Sequence, residues 1–199
     1  MQLSENIPLA ALSEKDGGDP VCDQSVRRVA KGELAALTQL YAALKRPIFL
    51  LAYSILHDYA LAEDVTQETF LHITEKAASY RPGTKAKAWV FTIARNLALS
   101  AVRGRKKEDL SDTPPENTAV QQGPQEAAEA NAGFARAIAV LEPDERSIVI
   151  LRIEAGLPHR EIAKMLGISY ADARVRYFRA LKKLKRYYEI NQDADTNSF

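Results

Sequence analysis

The sequence is short of the residues that most often mark a catalytic or covalently braced protein. Among its 199 residues there is one cysteine, Cys22, so no internal disulfide can form. A lone thiol fits a reducing compartment, and the cytoplasm is the default expectation. The three histidines, His57, His72 and His159, are scattered. No metal-ligand spacing and no phosphate-cradling glycine loop appears, so neither an enzyme nor a cofactor is expected. No uninterrupted apolar run approaches the roughly 20 residues that a membrane span needs. The N-terminus, MQLSENIPLAALSEKDGG, lacks a basic start followed by an apolar core, which does not read as a signal peptide. No segment alternates apolar and polar residues long enough to suggest a sheet.

What is present is helical periodicity and segregated charge. The net charge is only +1, which by itself argues against nucleic-acid binding. The distribution points the other way. From Arg81 to Lys107 the chain carries Arg81, Lys85, Lys87, Arg95, Arg103, Arg105, Lys106 and Lys107, and no acid. From Glu108 to Glu129 it carries acids and no base, and from Arg174 to Arg186 again only bases. Taken singly, each basic block reads equally well as a solvated helix face; together they resemble the footprint of a phosphate-binding surface.

The expected fold class is all-α, as two small helical bundles joined by a flexible acidic linker. Residues 1–24 are polar, with Gly17, Gly18 and Pro20, and read as a flexible tail. Leu34, Leu37, Leu40, Tyr41 and Leu44 recur at helical steps, and Pro47 is placed to open a second helix. His57-Asp58 reads as a break, followed by a helix from about Ala60 to Ala78, a turn at Arg81-Pro82-Gly83, and a helix from Lys85 to Gly104. Residues 107–130, rich in Pro and acids, read as the linker. Helices are expected again over Glu126–Leu141, Pro143–Glu154, Pro158–Leu166 and Tyr170–Tyr188, in a second bundle spanning 131–190, with a tail over 191–199.

Residues 156–184 carry a helix-turn-helix pattern. Gly167 supplies a tight stop, Ile168 an apolar plug, and Ser169 a cap for the next helix with Asp172 three residues on. Rotation at about 100° per residue places Ala173, Tyr177, Ala180 and Leu184 on a buried face. Ala171, Val175, Phe178 and Lys182 fall opposite, flanked by Arg174 and Arg179. Arginines suit guanine edges and phosphates, and apolar groups suit thymine methyls. Arg176 falls nearer the buried edge. Upstream, Glu63, Asp64, Gln67, Glu68 and Glu75 form an acidic and amide face, with Leu61, Val65 and Ile73 inward. In AWVFTIARNLALSAVRGRKK, residues 88–107, Trp89, Ile93 and Leu97 form a stripe. Trp89 there fits a core position better than a stacking platform. Basic, amide and aromatic groups around it suit unstacked bases.

AEDVTQETFLHI followed by AWVFTIARNLALSAVRGRKK resembles region 2 of the sigma-70 family. LEPDERSIVILRIEAGLPHREIAKMLGIS followed by an R-x-R-x-x-RA helix resembles region 4. Both occur in the right order, covering about two thirds of the chain. The lack of room for further regions places the resemblance with the extracytoplasmic-function class. It implies a region 2 unit over 25–106 and a region 4 unit over 131–190. It implies core RNA polymerase as partner, with Glu63, Asp64, Gln67 and Glu68 on the clamp coiled coil of the largest subunit. It implies promoter DNA as target. The −10 element would be read from Lys85, Lys87, Trp89, Arg95, Asn96, Ser100 and Arg103, with Asn96 the foremost base contact. The −35 element would be read from Ser169, Tyr170, Arg174, Val175, Arg176, Phe178, Arg179 and Lys182. Region 4 would also touch the flap of the second-largest subunit, the linker would thread toward the RNA exit path, and an anti-sigma factor is a possible further partner. No membrane insertion is expected.

The sequence departs from the family pattern at Ser100, where Asp is common. Ala171-Asp172-Ala173 stands for the usual Gly-Thr-Val, and Pro158-His159 for Ser plus an aromatic. A DNA-binding regulator that is not a polymerase subunit remains the alternative; it accounts for the second segment but not the first.

Overall fold

The computed structural model describes residues 19–81, 85–108, 133–134 and 136–196, and every regular element among them is helical. Helix α1 spans Pro20–Val29. Asp19 caps it, accepting from the Val21 and Cys22 amides at 3.2 and 3.1 Å, and Pro20 occupies the first turn, where no N–H is needed. Of the tail expected over residues 1–24, residues 1–18 lie outside the described residues and residues 20–24 belong to this helix. Cys22, Val26 and Val29 are buried, which ties the segment down.

Helix α2 runs unbroken over Leu34–Leu56, through Pro47. This corrects the expected division into two helices. A proline ring removes one hydrogen bond and crowds the preceding turn, but Pro47 is itself buried, and Leu44, Ile48, Leu50 and Leu51 around it are nearly inaccessible. Burial at about 1.5–3 kcal/mol per large side chain outweighs the lost bond. By length and composition α2 would also pass as a membrane span, with mean hydropathy 1.2. Its apolar stripe instead packs on α1 and on the helices that follow.

The break at His57-Asp58 is as expected. His57 adopts a left-handed conformation (φ 53°) and donates its N–H to the Tyr53 carbonyl at 2.9 Å. Asp58 caps helix α3, Tyr59–Lys76, by accepting from the Leu61 amide at 3.0 Å, and it receives Arg105 at 2.5 Å. A single 3₁₀ turn, Ala77–Ser79, follows. Helix α4, Ala86–Glu108, buries Val90, Phe91, Ala94 and Ala98 against α2 and α3. The expected turn at Pro82-Gly83 lies outside the described residues. So do all but the first two residues of the 107–130 linker and the start of the helix expected over 126–141, of which residues 133–134 and 136–139 are helical.

The C-terminal unit holds α5 (Pro143–Ile153), α6 (His159–Leu166) and α7 (Tyr170–Thr196). Pro143 starts α5, and the Glu142 amide donates to the Glu145 carboxylate at 3.0 Å in a capping box. Buried Arg152 donates to the Leu157 carbonyl at 3.1 Å and fixes the approach to α6. Helix α7 continues to Thr196, beyond the expected end at Tyr188, so most of the tail assigned to 191–199 is helical.

The two units do not stand apart on a tether. Helix α5 packs against α2, and α6 against α4, so that one apolar core runs through both units. Three polar contacts line the seam: Arg46 with Glu154 at 3.8 Å, Lys85 with Glu161 at 3.1 Å, and Arg146 with His57 at 2.5 Å. Burial, then the Arg146 charge, push the His57 imidazole below its ordinary value. It is thus held neutral, with Nε2 free to accept from the guanidinium.

Candidate nucleic-acid and protein interface

Three surfaces carry the chemistry expected from the sequence. On α3, Val65 and Ile73 are buried and Leu61 is half-buried, as the periodicity predicts. Asp64, Gln67 and Glu68 are exposed and Glu63 half-exposed. At about 100° per residue, Asp64, Gln67, Glu68, Leu71 and Glu75 share one arc. Leu71 is 64% exposed in the middle of that acidic stripe. The sequence reading passed over it, although it stands seven residues after Asp64 and three after Glu68. His72 sits beside the stripe, its ring nitrogens 3.6 Å from Glu68 and 3.5 Å from Glu75.

On α4 the same rotation aligns Lys85, Trp89, Thr92, Asn96, Ser100 and Arg103. Thr92, Asn96, Ser100 and Arg103 are exposed, and Lys85 and Trp89 half-buried. Trp89 lies 5.3 Å from the Tyr80 ring, so its position is neither full core nor free platform. Arg95 is half-buried at the flank. Lys87 does not join this face. It points the other way, 2.8 Å from the Asp19 carboxylate, and braces α4 to the cap of α1. Burial raises the pKa of Asp19, but the Lys87 hydrogen bond and charge and the two capped amides outweigh it and hold the carboxyl low.

The helix-turn-helix forms as the spacing predicts. Gly167 closes α6 at φ 69°, a conformation natural to glycine. The Ser169 hydroxyl accepts from the Asp172 amide at 3.0 Å and donates to the Asp172 carboxylate at 2.7 Å. Asp172 thus has a capping task. Ala173, Tyr177 and Ala180 are buried, and Tyr177 packs edge-on against buried His159 at 5.0 Å. Opposite them, Val175 and Phe178 are 48% and 52% exposed. Arg174, Arg179 and Lys182 are exposed around them, and Arg174 lies over the Tyr170 ring at 5.7 Å. Ser169 and Tyr170 are exposed at the start of this face. Arg176 is drawn aside into an ion pair with Asp144 of α5. Lys183 likewise reaches Glu145 at 2.7 Å, so two bases of the basic block hold α7 to α5 rather than facing outward.

A model of sigma-70 region 2 matches residues 40–108, and a model of sigma-70 region 4 matches residues 133–184. RNA polymerase sigma factor CarQ of Myxococcus xanthus is 36% identical over 132 residues, covering 63% of this chain and 74% of that protein. The chain belongs to the extracytoplasmic-function class of sigma-70 factors. ECF sigma factor SigE of Mycolicibacterium smegmatis is 31% identical over 147 residues, 70% of this chain and 56% of SigE. The solved structure of sigma factor RpoE in complex with the anti-sigma factor NepR from Bartonella quintana superposes with a TM-score of 0.62 at 26% identity, covering 77% of this chain and 96% of RpoE. As a sigma factor, the chain binds RNA polymerase for promoter-specific initiation. The match of region 2 supports the sigma factor over a regulator independent of polymerase. Sigma factors are not catalytic enzymes.

Proposed function

We propose that the three surfaces divide the work of a sigma factor. The carrying observation is that the acidic stripe of α3 and the arginine-flanked face of α7 are both open to solvent on one folded chain. The unit over residues 25–106, extended back to Pro20 by α1, docks on core polymerase and reads the −10 element. Asp64, Gln67 and Glu68, with Glu63 at the edge, meet the clamp coiled coil of the largest subunit, and Leu71 gives that polar stripe an apolar anchor. A desolvated apolar group ringed by polar contacts is the usual source of interface energy.

Asn96, Trp89, Ser100, Lys85 and Arg103 receive the melted −10 strand, with Arg95 at the flank. Lys87 supports this face from behind. The unit over 131–190 reads −35 duplex through Arg174, Val175, Phe178, Arg179 and Lys182. Ser169 and Tyr170 set the helix entry, and Arg176 serves the fold. The same unit meets the flap of the second-largest subunit. The RpoE–NepR structure supports an anti-sigma partner for this chain as well, and the site of action is the cytoplasm, where core polymerase works.

The test is separation of function in reconstituted holoenzyme. D64K with Q67A should abolish core binding in a pull-down. Arg174→Ala should leave core binding intact and cost about 1–3 kcal/mol at the −35 element. An unchanged promoter profile for Arg174→Ala would remove it from the reading face.

A further inference from the structure

Helix α1 brings two acids, one turn apart, to the flank of the −10 face. Asp19 and Asp23 are four residues apart, so they share a side of the helix start. Asp19 takes the Lys87 ammonium of α4 at 2.8 Å. Asp23 divides its carboxylate: Oδ2 accepts from the Arg27 Nε at 3.0 Å, and Oδ1 accepts from the Tyr80 hydroxyl. Tyr80 follows the 3₁₀ turn, 57 residues further along the chain, so this bond ties one element to another. The Tyr80 ring is buried and lies 5.3 Å from the Trp89 ring, tilted by 49°. Trp89 is half-buried, packed on the core with the rest of the ring turned to solvent. Two tilted rings orient each other only as firmly as each is itself held. The tethered hydroxyl at the far end of Tyr80 fixes its ring, and with it the wall on which Trp89 rests.

We infer that Asp23 is a positioning residue for promoter melting: through the Tyr80 hydroxyl it sets the Trp89 ring in the orientation that receives the unpaired −10 strand. This inference rests on the assignment of Trp89 to the −10 face. Tyr80 is too deeply buried to stack on a base itself, and Asp23 carries the wrong charge for a phosphate, so both act through Trp89. Lys87, held by Asp19 two residues before Trp89, steadies the same turn of α4. Helix α1 thus serves the −10 face from behind. None of these residues belongs to the acidic stripe of α3, so melting and polymerase docking separate.

Trp89 is the only tryptophan in the sequence, so the emission of the free chain, excited where tyrosine does not absorb, reports this ring alone. Tyr80→Phe removes the hydroxyl and keeps the ring. Its Trp89 should be quenched more strongly by acrylamide. In reconstituted holoenzyme, at a promoter that the unaltered chain transcribes, permanganate footprinting should show melting slowed about two- to tenfold, the size of one lost hydrogen bond. Core binding in a pull-down should not change. Asp23→Ala should match Tyr80→Phe, and the two together should lose no more than either alone. Asp23→Asn, which keeps an acceptor oxygen, should recover most of the loss. Unchanged quenching or unchanged melting in Tyr80→Phe overturns the inference, and so does a loss of melting that only parallels a loss of core binding. Trp89→Ala separates the inference from the assignment beneath it. Normal melting there sinks the −10 role of Trp89 and the inference with it; slow melting there beside normal melting in Tyr80→Phe overturns the positioning alone.

Discussion

At the scale of single residues, acids placed at helix starts do more than cap. Glu145 sits in the first turn of α5, buried, and reaches Lys183 on α7. Burial raises its pKa, but Lys183 and the Glu142 amide outweigh that and hold the carboxyl below its usual 4.5. A carboxyl held low in the fold stabilises it above the unfolded value and loses that effect as pH falls through the folded one. Glu145→Gln should therefore cost about 1–2 kcal/mol at neutral pH, a figure kept small by the partly exposed lysine. The deficit should shrink as pH drops below 4.5. Thermal melts of both proteins across that range would show it, and a deficit independent of pH would contradict the role. The residue scale is also where the sequence was least legible. Lys85 and Lys87 look alike two positions apart, yet rotation about α4 sends them to opposite faces, one to Glu161 and one to Asp19. Arg176 and Arg174 part in the same way.

At the scale of elements, the helix-turn-helix was legible almost whole. Its signals are local: Gly167 in a left-handed stop, Ser169 as cap, and an apolar step of three and four along α7. Gly167→Ala meets no steric obstacle, so its cost is conformational, about 1–2 kcal/mol. Urea titration would measure it, and an unchanged midpoint would show that the turn relaxes. Tyr177→Ala should cost about 3–5 kcal/mol, since the ring is fully buried between α6 and its own helix. What local signals missed depends on tertiary packing. Pro47 reads as a helix start, but burial on several sides carries α2 through it. Helix α1 hides in a polar segment because Cys22, Val26 and Val29 are the only apolar side chains it buries, beside buried Ser25. Leu71 escaped notice because an exposed leucine and a buried one have the same letter.

At the scale of the whole molecule, the seam between units is the feature no sequence pattern announces. The apolar residues of α5 satisfy the pattern of a small independent bundle equally well, and only the structure shows them closing on α2. His57 makes this seam sensitive to acid. Its imidazole is held low by burial and Arg146, so the ring would take up a proton more readily with the seam parted. Its other neighbours are the Tyr53 ring edge and Asp58, the latter already paired with Arg105. Lowering pH through 6.5 should favour separation, read as falling energy transfer between dyes on the two units; a flat profile would remove His57 from the seam's control.

The central claim is that one chain joins polymerase to promoter through α3, α4 and α7. The most direct measurement is transcription by core polymerase with this chain over a library of promoter fragments, with the transcripts sequenced. Initiation at sites sharing a −35 and a −10 element, lost with D64K and Q67A, is the predicted result. Transcription no different from core polymerase alone would contradict it.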